Sequence, residues 1–298
     1  MRHRVPADVL LLVTVLFWSF NFTAAKYALT HGFAPLAYSA FRFGLGAVLF
    51  SAVTFAHERS LRIRRGDVAL ALGAAVLGIW LNQVSFTYAI RLTTAATVAL
   101  MFGTLPIFVA LFSHLAGHER LLMRHYLAAL VSFAGVGLIA AGSGGGISGE
   151  LGGLLLGLAG AATWAAYSVA IAPLMRRYSP YRISAIVLLA GCLPLFASAA
   201  RQIAEQDWGE PNALAWGGLL YGLVFSLVLT NIMWFTAIDR VGAARASLYA
   251  NLQPFLGAFF ALVVLSESLG ALQVAGGFVI GAGILLARRA GPAVAGGD

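Results

Sequence analysis

The side chains in this chain that could do chemistry are polar groups set inside long apolar runs. They are Trp18, Asn21, Lys26, Arg42, Gln83 and Tyr88 in the first half, and Trp164, Tyr167, Ser168, Asn231, Trp234, Tyr249 and Gln253 in the second. Apart from Lys26 and Arg42 they exchange hydrogen bonds without permanent charge, and the Trp and Tyr rings add flat apolar surface. Such a set implies a central pocket for a small zwitterionic or amphipathic solute. Cys192 is the single cysteine, so neither a disulfide framework nor a metal cluster can be built from it, and neither metal nor cofactor is expected. Asp8, Glu58, Asp67, Glu119 and Asp239 fall at one edge of the apolar runs and Glu150 and Glu267 at the other. No carboxylate is therefore expected at the mid-depth where proton-coupled carriers commonly hold one.

Each amide could equally join two helices through a hydrogen bond worth about 0.6 to 2 kcal/mol. The concentration of these groups on a few runs favours a shared pathway. Lys26 and Arg42 lie where a cation is costly unless it snorkels, pairs or faces water. Either they reach the outer aqueous boundary or they attract a substrate carboxylate, and for Arg42 helix termini and backbone carbonyls are alternative partners. Trp208 and Trp216 fit interfacial anchors.

The elements that must position these residues are membrane helices. The 298 residues are 60% hydrophobic and 10% charged, with a mean hydropathy of +0.88, whereas a soluble domain carries about a quarter charged residues. Apolar runs of about 20 residues recur, the length that crosses a hydrocarbon layer. They lack the short alternation of a membrane β-barrel. The formal charge of +8 sits mostly in short connections, where it fits topology and contact with the lipid bilayer and does not call for nucleic acid. The first apolar run continues to about Leu29 without a small-residue cleavage site, so it is expected to be a retained helix.

Ten spans are predicted: Val9–Leu29, Pro35–Phe55, Val68–Ala89, Ala95–Leu115, His125–Ala141, Leu151–Met175, Ile183–Ala200, Ala213–Phe235, Ala243–Val264 and Leu269–Ala287. The stretch TTAATVALMFGTLPIFVALFSHLAGHE, Thr93 to Glu119, is echoed by VGAARASLYANLQPFLGAFFALVVLSE, Val241 to Glu267. A constant offset of 148 places Ala95 on Ala243, Pro106 on Pro254 and Glu119 on Glu267. The implied organisation is a first repeat over 1–141, a Gly-rich linker over 142–150, a second repeat over 151–290 and a flexible tail over 291–298.

Fifteen arginines fall in one set of connections and adjoining helix ends, and only Arg91 and Arg201 in the other. The positive-inside rule then puts both termini in the cytoplasm. Five spans per half make the second repeat enter from the opposite side. Inverted repeats of this kind give a transporter two packings of similar energy. Pro106 and Pro254 should each remove a backbone hydrogen bond and act as hinges in the fourth and ninth helices. Gly277 and Gly281, four apart, predict close helix contact, making the fifth and tenth helices scaffold or dimer surface and the protein a monomer or weak homodimer.

The stretches FWSFNFTAAKYAL (Phe17 to Leu29), AFRFGLGAVL (Ala40 to Leu49), the two repeated segments with their upstream YAIRL and TAIDR, and GGFVIGAGILL carry a resemblance over essentially the whole chain. The chain resembles the drug/metabolite transporter superfamily, specifically ten-helix EamA-type permeases. That resemblance implies an all-α integral membrane protein of two inverted five-helix repeats, with a central cavity and both termini inside. It further implies export of amino acids, aromatic or other neutral ones included, or of related small metabolites, with multidrug export as the alternative. Trp18, Asn21 and Lys26 match the first-helix motif of the family, and Arg42 its second-helix arginine. Tyr167 stands where an asparagine often lies. The small multidrug exporters of the superfamily carry a functional glutamate in their first helix, and no carboxylate occupies that region here.

Overall fold

In hydrocarbon each backbone N–H and C=O must be satisfied within the chain, which leaves the helix as the structure for apolar runs of this length. The computed structural model describes residues 5–117, 119–120, 123–142, 150–241, 249–289 and 294–295. Its first helices are α1 (Ala7–Thr30), α2 (Pro35–Glu58), α3 (Arg65–Leu92), α4 (Ala95–Leu115) and α5 (Met123–Gly142). The second set is α6 (Glu150–Met175), α7 (Pro180–Glu205), α8 (213–241), α9 (Gln253–Val264) and α10 (Ala271–Arg289). Eight of these are long and apolar enough to cross a membrane, and Gln253–Val264 and Ala271–Leu286 are shorter apolar helices. Among the described residues β structure is one two-residue antiparallel pairing, Glu119 opposite Ala295 and Arg120 opposite Val294.

Local signals set the ends. Thr94, Ser179 and Asn212 cap α4, α7 and α8 by accepting backbone N–H bonds from Thr97, Arg182 and Ala215. Pro35 and Pro180 occupy the first turns of α2 and α7, where a missing N–H costs nothing. After α1, Gly32 turns the chain at φ 102°, a conformation that favours glycine. The predicted seventh span, Ile183–Ala200, is extended at both ends. The Ser179 cap lengthens its start, and an Arg201–Glu205 ion pair one turn apart (2.8 Å) carries its end into polar surroundings. The predicted ninth span is not continuous: residues 251–252 form a turn before α9, and 242–248 lie outside the described residues. Of the linker predicted over 142–150, Gly142 ends α5 and Glu150 begins α6, and 143–149 lie outside the described residues.

The helices pair as a duplicated chain requires. α1 packs on α8 and α9, and its counterpart α6 packs on α3 and α4; α2 lies against its own counterpart α7, and α5 against α10. This ten-helix, two-repeat arrangement is the architecture expected of inverted repeats. Lipid supplies no hydrophobic drive between helices, so contact depends on small residues that admit a neighbour. At Gly191 of α7 a β-carbon would stand 2.4 Å from Ile79 of α3, and at Gly46 of α2 it would stand 2.3 Å from Leu227 of α8. The two notches are equivalents in the two halves.

α5 and α10 meet through Gly135 and Gly276, each within 2.7 Å of the other's carbonyl if given a β-carbon. Gly277 and Gly281 do make close helix contact, against Leu100 of α4 and Phe255 of α9. The outward sides of α5 and α10 carry exposed apolar side chains such as Leu130 and Phe278.

The notch predicts a contrast between two glycines. Gly191→Ala should destabilise the folded protein by about 2 kcal/mol, because the added carbon also meets the Ala75 carbonyl at 2.8 Å, which cannot swing away. Gly73→Ala, with open space around it, should be neutral or slightly stabilising. Equilibrium unfolding in mixed micelles compares the two.

Candidate substrate site

Two departures from regular helix recur at the 148-residue offset and shape the interior. In α3 the segment Val76–Leu81 is π-helical, and in α8 so is Val224–Leu229. π turns are rare and frequent at functional sites. Each is followed at once by a polar pair, Asn82–Gln83 and Thr230–Asn231. The wide turns also create room: Gly78 in the first receives the Tyr167 ring of α6, and a β-carbon there would lie 2.3 Å from it.

The second departure is at the prolines. α4 runs as Ala95–Phe102 and Leu105–Leu115, broken at Gly103–Thr104, and Pro106 stands in the first turn of the second piece. Pro254 stands in the first turn of α9 after the turn at 251–252. The expectation that each proline removes a helical hydrogen bond is therefore corrected, since a first-turn N–H has no intrahelical partner to lose. The helices are interrupted where a kink was expected. The breaks face each other, with Gly103 against Pro254. Thr104 helps to close the first by donating its hydroxyl to the Met101 carbonyl at 2.7 Å.

Three polar groups converge between α1, α2, α3, α6 and α8. In the first, Trp18 donates its indole N–H to Thr230 at 3.0 Å and lies 5.0 Å from the Trp234 ring. In the second, Gln83 donates to Asn82 Oδ1 at 2.9 Å, Asn82 donates to the Gly160 carbonyl at 2.8 Å, and Ser39 reaches Gln83 at 3.5 Å. This network ties α2, α3 and α6 together with buried amides. In the third, Arg42 is 4% exposed, lies beside Tyr38 on α2 and against Gly222 of α8, and sits 5.2 Å from the Phe43 ring. Tyr221 donates its hydroxyl to the Phe17 carbonyl at 2.9 Å and so fixes α8 to α1 at this level. Trp164 lies 5.1 Å from Tyr167 on α6.

The remaining predicted residues are placed elsewhere or turned to their own helices. Ser168 bonds the Trp164 carbonyl (2.8 Å), and Asn231 bonds the Leu227 carbonyl in the π segment (2.5 Å). Tyr88 accepts a bond from Gln202 (2.7 Å), at the end of the molecule that holds Glu267. Tyr249 donates to Asp8 (2.9 Å) at the opposite end, locking α1 to the segment before α9. Gln253 gives its carbonyl to Ser19 (3.3 Å), and Asn21 is buried with its Oδ1 unpartnered.

The structure gives half-buried Lys26 partners that neither expectation named. Its ammonium bonds the Ile90 and Thr93 carbonyls (2.8 and 2.6 Å), at the C-terminal end of α3, where a cation complements the helix dipole. Beside it, Glu267 accepts the Ala95 and Ala96 N–H groups of α4 (2.9 and 3.0 Å). One cation and one anion thus clasp the α3–α4 connection. Trp208 and Trp216 join Phe33 and Phe41 in an aromatic cluster, with ring centroids as close as 4.4 Å.

At the far end Asp67 takes Arg177 (2.5 Å) and Tyr178 (2.6 Å), and Glu58 takes Arg182 (3.0 Å) and Ser179. At the Glu267 end a polar open cavity of about 430 Å³ lies among Arg91, Gln202, Glu205, Gln206, Asp207 and Glu210. Sequence reasoning did not single out Tyr38, Tyr221 or the Asp67 cluster. Only Tyr38 left a signal, its spacing of four from Arg42.

Comparison with known proteins bears on this geometry. The profile of the EamA-like transporter family matches residues 5–141 and again 151–289. A protein of Archaeoglobus fulgidus described as an uncharacterized transporter is 23% identical over 281 residues, covering 94% of this chain and 98% of its own. The uncharacterized transporter YyaM of Bacillus subtilis is 25% identical over 299 residues, covering 96% and 94%. A solved crystal structure, 21% identical, superposes with a TM-score of 0.66 over 96% of this chain and 98% of that one, which shows a shared fold.

The clasp yields a prediction. Glu267→Ala should cost about 1 kcal/mol of stability through loss of the helix cap. In a Cys192→Ser background it should also speed maleimide labelling of a cysteine at Thr94. Unchanged melting and labelling would show that the carboxylate does not hold α4.

Proposed function

The chain belongs to the EamA-like transporter family, a family of multi-pass membrane transporters, and from that premise we propose that it exports amino acids, aromatic or other neutral ones among them, or related small metabolites. The observation that carries alternating access is the pairing of irregularities at one offset, π segments in α3 and α8 and breaks in α4 and α9. Each half thus owns one copy of the same deformable unit, as a carrier with two related states needs. Trp18, Asn21, Arg42, Gln83, Trp164, Tyr167, Asn231 and Trp234 line the path between the halves. Tyr88 and Tyr249 act at its two ends, Ser168 and Gln253 support the wall, and the breaks beside Pro106 and Pro254 are the hinges.

The orientation that accompanies this function has both termini in the cytoplasm, since fifteen arginines fall in one set of connections and adjoining helix ends of the sequence, and the exporter reading assigns the chain to the inner membrane. The Asp67 and Glu58 clusters then close the cytoplasmic side and the Lys26–Glu267 clasp the outer side. α5 and α10 serve as scaffold, and the protein works as a monomer or weak homodimer. Multidrug export is favoured by the aromatic pairs Trp18–Trp234 and Trp164–Tyr167. It is opposed, for cationic drugs, by the buried charge of Arg42.

Sealed proteoliposomes loaded with unlabelled amino acids should show counterflow of at least one radiolabelled neutral amino acid. Folded protein that exchanges none of them would defeat the amino-acid reading. The hinge role is tested by cysteines at Ile107 and Phe255 in the Cys192→Ser background. Their labelling rates should change at least about threefold on adding the transported solute, and constant rates would remove the hinges from the mechanism.

A further inference from the structure

Arg42 is 4% exposed inside a membrane helix, and the three ion pairs among the described residues use other arginines. A buried guanidinium without an anion is destabilising, and its Nε makes no hydrogen bond. The Phe43 ring at 5.2 Å offsets part of the charge but accepts no N–H in the guanidinium plane. One turn away the Tyr38 hydroxyl, fully buried, finds no carbonyl or carboxylate to donate to. Tyr221 donates its hydroxyl proton to the Phe17 carbonyl, so it brings a neutral phenol oxygen and no anion to Arg42. Gly222 is held to a hydrogen atom here, because a β-carbon would stand 2.8 Å from Arg42 Nε. On one face of α2 the guanidinium and the Tyr38 hydroxyl lie within hydrogen-bonding reach of each other, with the neutral Tyr221 phenol nearby; with no anion beside the cation, they describe half of an anion site.

We propose that Arg42 and Tyr38 together bind the carboxylate of the transported solute, so that a free carboxylate is the feature every substrate must carry. This deepens the transport reading above and rests on it. The guanidinium fork pairs with two oxygens of a planar anion, and a phenol adds a third bond. A phosphate dianion fits less well, since the other intramembrane cation, Lys26, is committed to the Ile90 and Thr93 carbonyls. The aromatic cluster of Phe33, Phe41, Trp208 and Trp216 lies towards the near end of α2 and shields the pair from that side. A simple amine or a cationic drug has nothing to offer this pair and is repelled by it.

The test is thermal stabilisation of the purified full-length protein in detergent. The probes are L-phenylalanine, L-leucine and L-threonine, each with its primary amide and its decarboxylated amine, together with 3-phenylpropionate, 4-methylpentanoate and inorganic phosphate. At least one carboxylate should stabilise the wild type while its amide and amine do not. Tyr38→Phe should leave the unliganded melting temperature unchanged and weaken that carboxylate about tenfold or more. Arg42→Lys should do likewise, and Arg42→Gln should abolish binding. Binding of the two non-amino acids without any amino acid would defeat the amino-acid reading and uphold the anchor. Amides binding as well as acids, phosphate binding alone, no carboxylate binding at all, or an unaltered affinity in Tyr38→Phe would each overturn it.

Discussion

Hydrocarbon offers no hydrogen-bond partner to a peptide group, and the arrangement of this molecule follows from that constraint. A regular helix meets it unaided; an interrupted one does not. The chain nevertheless departs from α-helix at two π segments and two breaks, and each departure draws polar side chains to it. Thr230 and Asn231 bond the Ser226 and Leu227 carbonyls of one π segment, and Ser19 bonds the Gln253 carbonyl beside the α9 break. Lys26 and Glu267 satisfy the facing helix ends at the α3–α4 connection. Many of the intramembrane polar groups are therefore placed by the backbone they complete.

A smaller set among the described residues keeps spare bonding capacity, each with a buried polar atom that has no partner: Asn21 and Thr23 on α1, Tyr38, Arg42 and Ser51 on α2, and Ser132 on α5. The Trp18–Thr230 and Tyr221–Phe17 contacts tie α1 to α8. Duplication supplies the mechanical counterpart. α2 packs on α7 and α5 on α10 across the two halves, so contacts between the repeats include pairs of equivalent helices, as the proposed rocking of one half against the other requires. The Gly46–Leu227 and Gly191–Ile79 notches keep the π segments seated against α2 and α7.

Much of this plan was legible in the sequence, because apolar runs, arginine bias and a 148-residue echo are long-range patterns that survive without knowledge of contacts. The π segments were not legible. VLGIWL and VFSLVL share only their first Val and last Leu, which encode no wider turn, and Ile79 and Leu227 within them pack against glycines on other helices. The prolines were read as kinks because their position relative to a helix start depends on where the previous helix stops, here at glycine and turn residues. The partners of Lys26 were hidden for a similar reason: they are backbone carbonyls 64 and 67 residues away, and carbonyls have no sequence signature. Tyr249 was grouped with the interior by polarity alone, whereas its bond to Asp8 puts it at one end.

The central claim is that the two halves exchange roles about a shared interior, one end opening as the other closes. Distances between spin labels at equivalent positions address it directly, with Glu205 and Val263 at one end and Arg59 and Leu115 at the other, measured by pulsed electron resonance in lipid nanodiscs. On addition of a transported solute, the account predicts that the two distance distributions shift in opposite directions. Distributions that stay fixed, or that move in the same direction at both ends, would contradict it.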